Sequence, residues 1–295
     1  MYVEDRLIYL LNRANHIWKE YGFLVFIYFL FIEYPICNVL RNTHFIFLKR
    51  GKNCVVKEIQ GSRMSLNLND KGISKDLFQF GIRERASTRM MQNILSKDKV
   101  VVDIGANIGY YALMEAKAGA TVFAIEPVPD NFKSLSSNIE LNEYKTIETY
   151  QMAIGSKNTT VRMALSEKSN LHVITTDDNG NGIDVKVMKL DDFLIGKKTP
   201  DIVRMDVEGY EYNIIKGMPK TLDKMKQGSW LFIEVHNIPN KGELFNIINE
   251  AGFVKKRQIK ECKESPFFSY LTYRNKFNFK FLISGVNEYF FQKEG

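Results

Sequence analysis

The sequence predicts an α/β fold built on a doubly wound, mostly parallel sheet. Two observations lead to this prediction: apolar strand patterns alternate with helical patterns over residues 99–142, and a tight glycine turn joins the first of these strands to its helix. The continuous apolar run "KVVVDIG" suits a strand buried on both faces. With 295 residues and 45% hydrophobic content, the chain can form such a domain and carry an appendage.

Residues 1–50 differ in composition from the rest, and we expect a separate N-terminal segment there, followed by one domain over residues 51–295. An amphipathic helix is predicted over residues 4–21, followed by the uncharged run "FLVFIYFLFI" at 23–32. Ten helical residues rise only about 15 Å, which is about half of a bilayer's hydrocarbon thickness. The segment could pack as a helical cap, lie on a membrane surface through residues 1–34, or form a dimer contact.

Between residues 55 and 95, the pattern predicts a small β-hairpin followed by a helix. The stretches "VVKEI" and "RMSLNL" have strand character, with a turn expected at "NDKG". Residues 74–95 have a helical pattern with Ser74 or Asp76 as a possible N-cap. The three cysteines lack the spacing of a zinc site or a disulfide framework, so a reducing, cytoplasmic location is the expectation.

The glycine turn and two acidic residues indicate which cofactor the sheet would bind. Between Gly105 and Gly109 there is no middle glycine of the kind that lets a backbone approach a pyrophosphate, which disfavours a nicotinamide dehydrogenase. A carboxylate at Asp103, expected at the mouth of the site, suits a ligand with an ammonium and a sulfonium group. Glu126 ends the second strand, where it can accept both ribose hydroxyls. S-adenosylmethionine has all these groups, although a ligand-free turn with carboxylates capping helices is the alternative.

The stretch of residues 101–142 resembles the FkbM family of S-adenosylmethionine-dependent methyltransferases. Further similarity lies in "AIGS" (153–156), "KLDDF" (189–193), "DIVRMDVEGYEYNIIKGM" (201–218) and "LFIEVH" (231–236), so that it spans roughly residues 60–240. The resemblance implies a class I methyltransferase (Rossmann-like) fold with a seven-stranded sheet and a reversed final strand. The sequence after residue 240 is consistent with this fold. The stretch "KGELFNIINEAGF" has a helical pattern, and "FVKKRQI" and "KFNFKFLIS" have the pattern of the last strands of the sheet.

The resemblance also implies which residues bind the cofactor. Asp103 and the glycine turn would hold the methionine end, Glu126 the ribose, and Glu84 the cofactor amine. The expected cofactor-binding residues are Glu84, Asp103, Gly105, Ala106, Asn107, Gly109, Glu126, Asn131 and Ala153.

Three residues that follow the fourth and fifth strands are candidates for catalysis. We expect Asp206 to act as a base or to orient the acceptor, with Glu208 as its partner or as a metal ligand. His236 is a second candidate base. Asp206 could instead contact only the cofactor, Glu208 and Glu211 could cap the next helix, and His236 could be structural. Asp206, Glu208 and Glu234 could together bind a divalent metal, but no metal site is predicted because nothing in the sequence shows that they converge.

The predicted function is O-methylation of a sugar hydroxyl on a glycan or glycolipid, the sugar being implied by the resemblance. The net charge of +7 leaves an RNA methyltransferase as an alternative, disfavoured because no RNA-binding module is visible. A non-catalytic, membrane-associated protein with a relic cofactor fold is a further alternative. Residues 157–188 are predicted to form a loop and a hairpin that shape acceptor choice.

Overall fold

The computed structural model describes residues 45–46, 49–70, 72–164, 173–174, 182–236, 238–260 and 287–294. The chain divides into two units, one of residues 52–259 with 286–295 and the other of residues 1–51 with 260–285. The predicted helix at 4–21, the apolar run at 23–32 and the predicted strand at 276–284 lie outside the described residues. In the part of the chain that is described, no helix has both the length and the apolarity to cross a bilayer.

The elements are numbered in chain order. The strands are β1 (Cys54–Ile59), β2 (Ser62–Asn67), β3 (Val100–Ile104), β4 (Thr121–Ile125), β5 (Ile147–Tyr150), β6 (Ala153–Ile154), β7 (Thr159–Ala164), β8 (Val173–Ile174), β9 (Gly182–Met188), β10 (Ile202–Met205), β11 (Trp230–Val235), β12 (Phe253–Lys260) and β13 (Asn287–Lys293). The helices are α1 (Ile73–Phe80), α2 (Arg85–Ile94), α3 (Tyr110–Lys117), α4 (Pro129–Glu140), α5 (Leu190–Phe193), α6 (Glu211–Lys216), α7 (Pro219–Lys224) and α8 (Lys241–Glu250).

The predicted hairpin is confirmed as the antiparallel pair β1–β2, although its turn lies at residues 60–61 rather than at "NDKG". The single helix expected over residues 74–95 is wrong. Gly81 adopts a left-handed conformation (φ 67°) that ends α1, and α2 starts at Arg85. The side chain of Asp70 accepts hydrogen bonds from the backbone N–H groups of Gly72 and Ser74. These bonds satisfy backbone donors at the start of α1, a role that the sequence assigned to Ser74 or Asp76.

A seven-stranded sheet forms the centre of the fold, in the order β12-β13-β11-β10-β3-β4-β5. Strands β11, β10, β3, β4 and β5 pair in parallel, and β13 pairs antiparallel with β11. This is the class I methyltransferase arrangement, so the predicted fold class and reversed final strand are confirmed. The sequence pattern correctly placed α8 and β12, but it missed β13.

The two faces of this sheet bury different chemistry, because successive side chains of a strand alternate between faces. One face contributes Val102, Val203, Ile233 and Phe291 to the main apolar core beneath α5–α8. The opposite face buries charged side chains among aromatic ones. Its register aligns Asp103, Arg204, Phe232 and Phe290 in one row and sets Glu234 directly opposite Glu288.

A smaller sheet, in the order β6-β9-β7-β8, is formed by the part of the chain between β5 and β10 of the central sheet. Strands β7 and β9 pair antiparallel over residues 159–164 and 182–187, which confirms the hairpin predicted within residues 157–188. Met163, Val185 and Val187 form a small apolar cluster with Val128 and Ala153. The cluster brings this hairpin against the carboxyl end of the central sheet.

Candidate active site

The turn between β3 and α3 is built so that its backbone crosses close to the next strand. Gly105 has a φ of 83°, and its backbone N–H and that of Ala106 both donate to the carbonyl of Ile125, at 2.9 and 3.0 Å. A Cβ atom at Gly105 would lie 2.0 Å from the backbone carbonyl oxygen of Asp206. Only glycine fits this close approach.

Gly109 has a structural role in the close packing of two helices. It precedes α3 with a φ of 95°, and a Cβ atom there would lie 2.9 Å from Cδ1 of Leu135 on α4. It is not among the lining residues of either cavity described below. In the structure Gly109 therefore permits close helix packing, and its predicted ligand contact remains a prediction.

Glu126, at the end of β4, is buried and held by backbone donors. Its carboxylate accepts hydrogen bonds from the N–H groups of Asn107 and Val128, at 2.8 and 2.9 Å, and Asn131 Nδ2 lies 3.4 Å away. Burial raises the pKa of Glu126 to about 7, against the opposing effect of these hydrogen bonds. The fold thus holds one carboxyl group at the edge of the site in a fixed orientation.

Two adjacent cavities meet at this turn, and they share Gly105, Asn107 and Asp206. The first has a volume of about 650 Å³, including space open to solvent. Its lining includes Glu126, Asn131, Ala153, Met163, Asp206, Glu208 and Tyr210. The second is lined by Ile73, Arg83, Glu84, Gly105, Ala106, Asn107, Tyr110, Tyr111, Arg204 and Asp206. Together they form a continuous binding region along the carboxyl edge of the sheet.

Asp103 does not lie at the mouth of the site, which corrects the prediction. It is fully buried, and Arg204, its cross-strand neighbour, donates from Nη1 to its Oδ1 at 2.8 Å. Arg204 also donates from Nη2 to Asp206 at 2.9 Å, and its guanidinium lies 3.9 Å from the centroid of the Tyr111 ring. Burial raises the pKa of Asp103, whereas Arg204 opposes this effect. Arg204 rather than Asp103 lines the second cavity, so Asp103 supports that cavity by holding Arg204 and not by lining it.

Asp206 lines both cavities and is ion-paired with Arg204, whose Nη2 lies 2.9 Å from its Oδ2. Although burial opposes it, the nearby positive charges of Arg204 and Arg83 lower the pKa of the Asp206 carboxyl. A carboxylate with a lowered pKa is a weak base. This geometry favours an orienting role for Asp206 over the role of base.

Glu208, His236 and Glu211 form a hydrogen-bonded chain beside the first cavity. His236 Nε2 lies 3.0 Å from Glu208 Oε2, and His236 Nδ1 lies 2.6 Å from Glu211 Oε1. Burial lowers the pKa of His236, but its two carboxylate partners outweigh this and raise it to about 10. An imidazolium that donates from both nitrogens cannot accept a proton, so the geometry argues against His236 as the base.

Glu208 has the properties that the other two candidates lack. Its backbone is left-handed (φ 49°), an uncommon conformation for a non-glycine residue, and it turns the side chain toward the first cavity. The side chain is 19% exposed, and burial raises its pKa. A reachable carboxylate of raised pKa suits proton abstraction near neutral pH.

The structure brings three carboxylates together, but they are not the three that the sequence suggested as possible metal ligands. Ligand atoms of Glu84, Glu234 and Glu288 lie within 4.8 Å of one another. Of the set considered from sequence, only Glu234 belongs to this group. Burial and the neighbouring Asp206 raise the pKa of Glu234 well above its ordinary value, which favours its neutral form.

Sequence reasoning missed Arg83, Arg204 and Tyr111, and it considered Glu211 only as a cap of the next helix. Arg204 left a signal, because a charged residue inside the apolar strand "DIVRM" is seldom buried without a partner. Arg83 and Tyr111 left none, because their place beside the glycine turn depends on how α2 and α3 pack.

Residues 103–255 match the family model of the methyltransferase FkbM domain. The chain belongs to this family. It is 25% identical over 171 residues to the hexuronic acid methyltransferase AglP of Haloferax volcanii, covering 57% of this chain and 69% of AglP. It is 25% identical over 146 residues to methyltransferase 1 of Beauveria bassiana, covering 41% of this chain and 59% of that one. An rRNA methylase structure from Streptococcus thermophilus aligns with a TM-score of 0.45 at 12% identity, over 72% of this chain and 97% of that one. Family and topology together make this FkbM protein an S-adenosylmethionine-dependent methyltransferase.

Proposed function

We propose that this FkbM protein transfers a methyl group from S-adenosylmethionine to a hydroxyl group of a sugar on a glycan or glycolipid. The observation that carries the proposal is Glu208, a reachable carboxylate of raised pKa that His236 holds beside the first cavity. A sugar hydroxyl is a poor nucleophile until its proton is removed, so a positioned base is what this acceptor needs. The relationship to AglP supports a sugar as the acceptor.

The residues of the site divide the work between cofactor and acceptor. S-adenosylmethionine supplies an electrophilic methyl group on a sulfonium when it is bound. Glu126 would accept hydrogen bonds from the ribose hydroxyls, Asn131 and Ala153 would hold the adenosine, and the turn at Gly105, Ala106 and Asn107 would hold the methionine end; all of these residues line the two cavities. Gly109 supports this turn through helix packing. No metal ion enters the proposal.

On the acceptor side, Glu208 accepts the proton of the attacking hydroxyl. His236 stays protonated and fixes one oxygen of Glu208, and the buried Glu211 fixes the far side of the imidazolium ring. Asp206, held by Arg204, orients the acceptor near the methyl group. A cytoplasmic location remains part of the proposal, and for residues 1–34 the three alternatives of a helical cap, a membrane-surface contact and a dimer contact stay open.

The test is the transfer of labelled methyl groups to neutral glycans, uronic-acid glycans and RNA. We expect Glu208→Gln to lower the rate of sugar methylation by about 100-fold or more, while its affinity for S-adenosylhomocysteine stays within about threefold. Glu250→Gln, an exposed acid on α8, is the matched control and should behave as wild type. Labelling of RNA instead of every glycan would overturn the sugar assignment, and full activity of Glu208→Gln would overturn its role as the base.

A further inference from the structure

The guanidinium of Arg83 lines the second cavity beside the carboxylate of Glu84. Its side chain is 20% exposed and lines the cavity beside Glu84 and the glycine turn. Among the described residues, the hydrogen bond of its guanidinium is from Nε to Glu84 Oε1. The two terminal nitrogens are therefore available to a ligand, and their planar fork matches a carboxylate.

The turn that holds Arg83 is fixed by the helix that follows the glycine turn. The backbone N–H of Arg83 donates to Tyr110 Oη at 3.2 Å, and Thr88 Oγ1 donates to the carbonyl of Arg83 at 2.7 Å. Tyr111 Oη donates to Glu84 Oε2 at 2.9 Å. Since Tyr110 and Tyr111 begin α3, the same helix start positions both the glycine turn and this pair of charges.

Glu84 has an unusual backbone as well as a buried side chain. Its φ of 45° is left-handed, and its side chain is only 2% exposed. A non-glycine residue in this conformation costs free energy that the surrounding structure must offset. The conformation keeps a carboxylate and a guanidinium side by side on the wall of one small cavity.

Such an adjacent pair of opposite charges complements a zwitterion. A ligand whose ribose lies at Glu126 in the first cavity can extend past Gly105 and Asn107, which line both cavities, into the second. The far end of S-adenosylmethionine is an α-amino acid, with one ammonium and one carboxylate on the same carbon. Glu84 can accept from the ammonium, and Arg83 can donate to the carboxylate.

We propose that Arg83 binds the carboxylate of the methionine moiety and, with Glu84, selects an intact amino acid end on the cofactor. This inference rests on the cofactor assignment made above and adds Arg83 to the residues that sequence reasoning had placed there. A uronic acid acceptor also has a carboxylate, so the test must separate the cofactor from the acceptor.

The test measures the affinity of the full-length protein for S-adenosylmethionine and for decarboxylated S-adenosylmethionine by calorimetry, without acceptor. The two ligands share the sulfonium and the amine and differ in the carboxylate. We expect wild type to bind the intact cofactor about 10- to 100-fold more tightly. In Arg83→Gln this preference should fall below about threefold, with the affinity for the decarboxylated ligand unchanged.

Two further variants complete the design. Glu84→Gln should weaken both ligands by similar factors, because both keep the amine. Arg89→Gln, an exposed arginine on α2, is the matched control and should keep the wild-type preference.

Arg83 would be only structural if Arg83→Gln weakened both ligands equally. If Arg83→Gln kept the wild-type preference between the two ligands, and its KM rose for uronic-acid acceptors alone, Arg83 would bind the acceptor instead. Either result overturns the inference. Failure of wild type to bind either ligand would instead contradict the cofactor assignment itself, so the two failures are distinguishable.

Discussion

At the scale of single residues, the site depends on charges whose state is set by burial. Arg204 is 4% exposed and bridges Asp103 and Asp206, so removing it would leave the buried Asp103 and the partly buried Asp206 without this partner. Breaking a buried pair of this kind is strongly destabilising, whereas the intact pair contributes little net stability. The role of Arg204 is therefore to hold Asp206 in one orientation rather than to stabilise the fold.

The pKa of Glu126 predicts how cofactor affinity should depend on pH. Ribose hydroxyls are best accepted by the ionised carboxylate, and the pKa of about 7 means that this form is lost as pH falls through 7. We expect the affinity for S-adenosylhomocysteine to be about tenfold lower at pH 6 than at pH 8. Calorimetry across this range provides the measurement.

Glu126→Gln is the control for this pH dependence. This variant should bind S-adenosylhomocysteine weakly, because its amide places an N–H group against a backbone donor. Its affinity should not vary with pH, because the amide does not titrate. Asp103 also acts on Glu126 electrostatically, and the variant separates the two acids, since Asp103 is unchanged in it. A wild-type affinity that did not vary between pH 6 and 8 would contradict the prediction.

At the scale of elements, the β3–α3 turn is defined by glycines that act through different contacts. Gly105 faces the rigid backbone of Asp206, whereas Gly109 faces the end of the flexible Leu135 side chain. Backbone cannot move aside as easily as a leucine methyl group. The first glycine is therefore the more strictly required of the two.

Substitution of Gly105 by alanine should lower the free energy of unfolding by about 3 to 5 kcal/mol, from positive-φ strain and overlap with the Asp206 carbonyl. Gly196→Ala is the matched control, because Gly196 has a φ of 78° and a Cβ atom there would meet nothing within 4 Å. It should cost about 1 to 2 kcal/mol from conformation alone. Urea denaturation of both variants gives the comparison, and equal losses would show that the contact with Asp206 is unimportant.

At the scale of the whole molecule, the central sheet depends on β13, the last strand in the described part of the chain. It lies between β11 and β12, and its Tyr289, Phe290 and Phe291 are buried on alternating faces. It also carries Glu288 opposite Glu234 on the charged face. Strand β13 therefore contributes side chains both to the apolar core and to the charged face of the sheet.

A chain ending at residue 286 should lose cooperative unfolding, because it removes three buried aromatic side chains and leaves β11 and β12 without their shared partner. Circular dichroism melting and limited proteolysis would measure this. A chain ending at residue 293 keeps the strand and should melt within a few degrees of wild type. A cooperative, wild-type melt of the shorter chain would show that β13 is dispensable.

The sequence by itself determined the α/β class, the cofactor class and most of the strands, because these depend on local periodicity and on the spacing of a few glycines and acids. Gly105, Glu126 and Glu208, which the sequence pattern singled out, line the first cavity, as do Asn131 and Ala153, which the family resemblance implied. Gly81, by contrast, divides a segment that was predicted to be one helix. The division depends on the left-handed backbone conformation of this single residue, which the periodicity of the side chains does not reveal.

Only the tertiary structure decided how the charges are shared. Parallel register placed Arg204 opposite Asp103, and the antiparallel β13 placed Glu288 opposite Glu234. The packing of α2 against α3 brought Arg83 and Glu84 to the cavity. These neighbours are far apart in sequence, and a pKa depends on burial and on charges brought near by folding, so no spacing in the chain could reveal that Asp103 is covered or that His236 is protonated.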